Sequence, residues 1–285
     1  MKSFTLAILG LFATMISHGQ SASESYRTAL SHYEAGAYEL AIDNVDLAIN
    51  LGKQGNYYKL RADCHHKMES FASALADYDF AEKRGCTDLD LYINRGICRI
   101  SMGMYDQGEM DIWRHLEAFP DDHKAMYYLA EAEYLQFNNK ACLNYLDQAL
   151  EVDPEYMDAY YLRGANFVEM GRMDLAEKDF EMCVELNPDF QRNVLNLAII
   201  NIENLQPEEA LISLHDFHSE DEELMAEILY YKAEAHYALH NQEEACVLWQ
   251  QAAELGDVYA EKNYTNVCEK GNGRHKKKKV SFATF

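Results

Sequence analysis

The sequence predicts an all-α protein assembled from repeated helical hairpins, and three observations carry that prediction. The 285 residues are 48% hydrophobic, enough to bury a core, yet include only 4 prolines and 14 glycines, too few for the turns of a many-stranded β protein. Pro120, Pro154 and Pro188 stand 34 residues apart, and a fixed period of that length marks a repeat array. On that register small residues recur where two helices must touch: Gly96, Ala130 and Gly164 at one position, Gly108, Cys142 and Ala176 at another.

The elements follow in chain order. Residues 1–19 are expected to be a secretory signal peptide: Lys2 precedes an apolar run of 13 residues from Phe4 to Ile16, too short to cross a bilayer as a helix. Ser17 and Gly19 suit a signal peptidase, which places cleavage before Gln20. The first cysteine is Cys64, so an acylated lipoprotein cysteine near this site is not expected, and no later run has transmembrane character. Residues 20–256 form seven units that begin near 22, 55, 89, 123, 157, 191 and 226. Ala29, Gly36, Ala41 and Ala48 open the register, Ala62, Ala74, Tyr78 and Ala81 repeat it, and Ala233, Ala245, Trp249 and Ala252 close it after a one-residue insertion. Each unit is expected to fold as two antiparallel helices whose apolar stripe is buried only by the next unit, so stacking is obligatory. Residues 257–270 are expected as one capping helix, with Val258, Tyr264 and Val267 on its apolar side, and residues 271–285 as a basic flexible tail.

This register resembles the tetratricopeptide repeat (TPR) family. Tyr160-Tyr161-Leu162-Arg163-Gly164, then Phe167, Gly171, Ala176, Phe180 and Pro188 follow its pattern nearly position for position, and the likeness extends over residues 22–256. The resemblance implies a right-handed α-solenoid whose first helices line a concave groove for a protein or peptide partner. The matching positions here include Tyr26 and Tyr33; Ile93, Ile97 and Ile100; Tyr127, Glu131 and Tyr134; Tyr161; Leu195, Ile199 and Ile202; and Tyr230 and Tyr237. Tyrosine joins a large contact area to a polar handle. The Ile93/Ile97/Ile100 and Leu195/Ile199/Ile202 stripes are expected to be exposed apolar surface, which marks interaction sites. Lys59 is followed by Asp63 where the family's carboxylate clamp needs Asn, so a cytosolic co-chaperone role is not expected.

Comparing the units with one another adds a pairing. Arg61, Arg95 and Arg163 precede the small residue of units two, three and five, and sixteen residues later stand Asp77, Asp111 and Asp179. The other four units have neither partner. Such co-occurrence is expected of structural ion pairs between the two helices of a unit, because an unpaired buried charge is costly. Among the 7 cysteines, Cys246 and Cys268 lie ten and eleven residues either side of Gly256-Asp257, and so reach the same height on two antiparallel helices. A disulfide is one reading of that spacing and two separate thiols the other.

Charge narrows the partners. The chain carries a net −23, yet residues 270–285 hold six basic residues, Lys270, Arg274 and Lys276 to Lys279, and no acid. Without these and Lys2 the body retains 18 basic against 48 acidic residues, which would repel a nucleic-acid backbone. His65-His66 and His215/His218 beside Glu220 to Glu223 lack the spacing of a helix-borne zinc motif, and no phosphate loop or nucleophile signature occurs. No catalytic, metal or cofactor residue is therefore expected. The reading is an exported, non-catalytic scaffold in a bacterial periplasm or at a cell surface, which binds a protein or peptide through the Tyr/Ile-lined groove. The alternative, a hydrolase or metal-dependent enzyme on a helical-repeat scaffold, would show a closed pocket with converging titratable groups. The tail is expected either to contact the chain's own acidic body in competition with partners or to grip an anionic membrane surface.

Overall fold

The computed structural model describes residues 21–188, 190–270 and 273–278. The expected signal peptide, residues 1–19, and the tail beyond residue 278 lie outside the described residues. The fold is all-α: fifteen α-helices and one π-helical turn, with no strand among the described residues. The chain divides at Pro120/Asp121 into two compact units.

The first unit holds three hairpins, α1 (Ala22–Glu34) with α2 (Tyr38–Leu51), α3 (Gly55–Lys67) with α4 (Phe71–Lys83), and α5 (Asp90–Ser101) with α6 (Tyr105–Leu116). Small residues let the paired helices approach. A β-carbon at Gly96 would lie 2.9 Å from the Gly108 carbonyl oxygen, and one at Gly108 would lie 2.9 Å from that of Gly96. Between hairpins, Ala62, Ala74, Tyr78 and Ala81 pack against Leu91, Tyr92 and Cys98 in one buried cluster. The apolar faces of the first two pairs are thus closed by the first helix of the next.

The second unit repeats the arrangement with α7 (His123–Leu135) and α8 (Asn139–Val152), α9 (Met157–Glu169) and α10 (Met173–Leu186), α11 (Gln191–Glu203) and α12 (Pro207–Leu214), and α13 (Glu222–Ala238) and α14 (Gln242–Glu254). Cys142 and Ala176, both fully buried, occupy the contact that Gly108 makes in the first unit. The last hairpin begins at Glu222, four residues before the expected 226, because Asp221 caps α13 by accepting from the Glu223 and Leu224 amides. Glu222 and Glu223 then sit in the first turn, where the helix dipole favours negative charge, so this acidic run has a local structural role. The turn inside each hairpin carries one residue with positive φ. It is Gly36, Gly103 and Gly171 in three hairpins, but Glu69, Phe137, Leu205 and His240 in the others.

The expected single capping helix has a different form. It is a short α15 (Val258–Asn263), capped by Asp257, that widens into a π-helical turn, Tyr264–Glu269. That turn puts Val267 in the core and Cys268 against α14, where it forms a disulfide with Cys246 at a Cα separation of 5.8 Å.

Candidate functional site

Three ion pairs to buried aspartates set the register of the helices that present the candidate site. Arg61 Nε lies 2.7 Å from Asp77 Oδ2, Arg95 Nε 2.7 Å from Asp111 Oδ2, and Arg163 Nη2 2.7 Å from Asp179 Oδ1. All three are bidentate, since the second guanidinium nitrogen donates to the other carboxylate oxygen. Each arginine also reaches back to an acid on the preceding hairpin: Asp46 from Arg61, Asp79 and Glu82 from Arg95, and Asp147 from Arg163. A tyrosine stacks under each guanidinium, Tyr58, Tyr92 and Tyr160, at 5.7, 5.7 and 5.3 Å. The arginines therefore fasten hairpin to hairpin as well as helix to helix. Asp46, Asp79 and Asp147 share one repeat position, so the sequence held this signal, although the spacing to the preceding unit was not part of the expectation.

The first-helix faces correct the expected groove. Ile93, Ile100, Tyr127, Tyr161, Leu195, Ile199, Ile202 and Tyr230 are buried, and Leu195 has no exposed surface at all. Except at Ile97, the two apolar stripes are packing surface, because in a stack of hairpins neighbouring first helices cover one another's flanks. Tyr26, Tyr33, Ile97, Glu131, Tyr134 and Tyr237 remain half-buried and accessible. Burial raises the Glu131 carboxyl to about 7, and its surroundings include Tyr127, Tyr128 and Tyr156, whose hydroxyls are pushed up in turn. In the first unit Lys59 reaches both Asp63 and Asp88, at 3.0 and 2.9 Å, so the cation is consumed internally. Burial lowers His66 to about 4 and so keeps its ring neutral at pH 7.

The last hairpin carries an occupant. Residues 273–278 return across α13 and α15 outside any regular secondary structure. The Lys276 amide donates to Asn263 Oδ1 at 2.8 Å, and Asn263 Nδ2 donates to the Lys276 carbonyl at 2.9 Å. His275 Nε2 stands 3.0 Å from Glu234 Oε1, and its ring stacks on Tyr237 with 4.6 Å between centroids. The Lys278 amide donates to the Tyr230 hydroxyl at 3.1 Å, while its ammonium lies 4.3 Å from the Tyr230 ring centroid and pairs with Asp257. Lys277 reaches Glu203 at 3.4 Å. Glu234 and Asn263 are buried, and Glu234 also accepts from Trp249 Nε1 at 3.2 Å and Asn263 Nδ2 at 3.3 Å. Beside this segment opens a cleft of about 540 Å³ lined by Ile202, Leu205, Pro207, Tyr237, His275 and Lys277. Glu234 stands at a first-helix groove position of the repeat, whereas Asn263 and the role of Asp257 have no signal in the sequence, because their partner approaches only after the chain reverses beyond α15.

The remaining titratable groups have structural surroundings. Burial pushes the thiols of Cys64, Cys98, Cys142 and Cys183 up to about 12, which suppresses the reactive thiolate. Among the described residues, no three His, Cys, Asp or Glu side chains are grouped to hold a metal ion. No described helix is long and apolar enough to cross a membrane.

Comparison with known proteins places the fold. Residues 158–189, which span most of α9 and α10, match the tetratricopeptide repeat family model. A tetratricopeptide repeat protein from Parabacteroides merdae superposes with a TM-score of 0.61 at 15% identity, over 86% of this chain and 98% of that one. MamA from Desulfovibrio magneticus superposes with a TM-score of 0.51 at 18% identity, over 57% of this chain and 93% of that one. Among curated relatives, a UDP-N-acetylglucosamine–peptide N-acetylglucosaminyltransferase of Giardia intestinalis is 35% identical over 71 residues, 25% of this chain. A lipoprotein NlpI homolog of Haemophilus influenzae is 27% identical over 124 residues, 44% of this chain. The matches span 5% and 39% of those two proteins' own lengths.

Proposed function

We propose that this chain is an exported scaffold which binds an extended protein segment or peptide through its first-helix faces and performs no chemistry of its own. The observation that carries this reading is at the end of the array, where α13 and α15 together hold residues 273–278: Asn263 by backbone hydrogen bonds, Tyr237 by ring stacking and Asp257 by charge. The half-buried Tyr26, Tyr33, Tyr134 and Ile97 offer similar chemistry on earlier first helices. A periplasmic or cell-surface location in a bacterium rests on the signal-like residues 1–19 and is supported by the likeness to a lipoprotein.

Mild crosslinking in the producing cell, followed by purification of the intact chain, tests the reading. Tyr33→Ala and Tyr134→Ala, compared at a temperature where both variants are folded, are expected to lower the yield of a specific partner at least several-fold, beyond the stability lost with their core contacts. Met110→Ala and Ile212→Ala, exposed on second helices, are expected to leave it unchanged. The reverse pattern would reject binding by the first helices. N-terminal sequencing of the exported protein is expected to begin at Gln20, and an intact Met1 in the final compartment would reject the leader.

A further inference from the structure

The contacts of residues 273–278 define what their site recognises. Asn263 has no exposed surface, yet both ends of its amide engage the Lys276 backbone, the pattern by which a receptor reads an extended chain irrespective of its side chains. Side-chain selection comes from either flank. Glu234 takes the His275 imidazole against Tyr237, and Asp257 takes the Lys278 ammonium beside Tyr230, Tyr231 and Tyr259. Two carboxylates and an aromatic wall at this spacing fit a histidine followed three residues later by a lysine.

The chain is also shaped to deliver this segment. The disulfide between Cys246 and Cys268 ties the π turn to α14, and the Gly273 amide donates to the Asn266 carbonyl at 2.9 Å. A β-carbon at Gly273 would fall 2.4 Å from that of Asn266, so only glycine passes this point of the reversal. The cleft next to His275 and Lys277 leaves room for side chains bulkier than those now present.

We propose that the face formed by Tyr230, Glu234, Tyr237, Asp257 and Asn263 is a binding site for an extended basic peptide of a partner protein with His-x-x-Lys spacing, and that residues 273–278 occupy it in cis. The proposal rests on the peptide-binding reading above and adds the chemical class of the ligand and a competitor built into the chain. A segment joined by a few residues has an effective concentration on the order of millimolar, so if it binds its site with a Kd of roughly 10–100 μM, a separate peptide competes at a disadvantage of roughly ten- to hundred-fold.

The test uses the full chain with Trp113→Phe, which leaves Trp249, 5.5 Å from the His275 ring, as the reporter. The probe is a labelled peptide with the sequence of residues 271–285, followed by anisotropy and Trp249 fluorescence. The His275→Ala/Lys278→Ala chain, whose own tail is weakened, is expected to bind the peptide at least ten-fold more tightly than the unaltered chain. Peptides with His275→Ala or Lys278→Ala, or with the same residues scrambled, are expected to bind at least five-fold more weakly. Equal affinity of both chains would overturn cis occupancy, and equal affinity of the scrambled peptide would reduce the site to general charge attraction and overturn recognition. Because the specificity arm varies the peptide, it does not depend on how a variant chain folds. Phosphatidylglycerol vesicles that shift the unaltered chain's Trp249 emission to that of the double variant would place the tail on lipid, again overturning the proposal. Partner crosslinks lost with Tyr33→Ala or Tyr134→Ala, but no peptide binding here, would leave the scaffold reading standing and reject only this site.

Discussion

Replacing Arg163 with Met isolates the cost of leaving one buried carboxylate without its cation. The guanidinium makes two hydrogen bonds to Asp179, of 2.9 and 2.7 Å, and the Asp179 side chain is only 5% exposed. Among the described residues Arg163 is the cation within salt-bridge reach of Asp179. Breaking a buried pair by removing one partner costs about 3–5 kcal/mol. Arg163 is itself 21% exposed, and a carboxyl whose pKa burial already raises can take up a proton instead, so the expected loss at pH 7 falls to about 2–3 kcal/mol. Since the folded pKa of Asp179 lies above its unfolded value, protonation favours the fold at low pH and that contribution is lost as pH rises through the folded pKa. The variant's deficit should therefore shrink on acidification. Three comparisons bound the argument. Arg95→Met should cost less although Arg95 is more buried, because Asp111 keeps Arg99 and Glu82 keeps Arg114. Arg163→Met/Asp179→Leu should recover to within about 1 kcal/mol of the original, as apolar replacements of buried pairs do. Arg192→Ala removes a pair with Glu227 whose arginine is 40% exposed and should cost less than about 1 kcal/mol. Urea unfolding followed by circular dichroism at pH 7 and pH 5 measures all four. A loss for Arg163→Met no larger than that for Arg192→Ala would mean that Asp179 does not depend on its arginine.

Three further outcomes are expected. Glu131, raised by burial to about 7, contributes stability that is full below about pH 4.5 and is lost as pH rises through 7; Glu131→Gln should remove roughly 2 kcal/mol of this pH dependence, and a Gln variant that keeps the same slope of urea midpoint against pH would contradict it. Denatured protein should titrate five thiols before reduction and seven after, and Cys268→Ser should cost roughly 3 kcal/mol by reopening a loop of 22 residues, whereas seven thiols before reduction would exclude the bridge. Gly108→Ala, whose new carbon would lie 2.7 Å from the Ile100 side chain and 2.9 Å from the Gly96 carbonyl, should cost about 1–3 kcal/mol, and an unchanged urea midpoint would mean that the α5–α6 contact is looser than described.

Periodic features were legible in the sequence because every hairpin solves one packing problem. Small residues at the crossing and Arg/Asp partners sixteen residues apart recur with the fold itself, and the alignment that selects Arg163 and Asp179 also puts them on facing turns of α9 and α10. Accessibility was not legible. Leu195, Ile199 and Ile202 share one face of α11, but a one-dimensional pattern does not separate a stripe that faces a neighbouring helix from one that faces solvent, and here they are core. The end of the array was legible only in part. The symmetric spacing about Gly256-Asp257 put Cys246 and Cys268 at one height, whereas the π turn and the return of residues 273–278 depend on non-repeating contacts of Asn263, Asn266 and Gly273. Positive φ at Phe137 and Leu205, where other hairpins place glycine, likewise leaves no periodic trace.

Position-resolved photocrosslinking in the producing cell tests most directly the claim that first-helix faces do the binding. A photoreactive side chain at Tyr33 or Tyr134 is predicted to give discrete adducts with a common partner, while the same group at Met110 or Ile212 is predicted to give none. Adducts confined to Met110 and Ile212, or their absence at Tyr33 and Tyr134 in a chain that folds and is exported normally, would contradict the account.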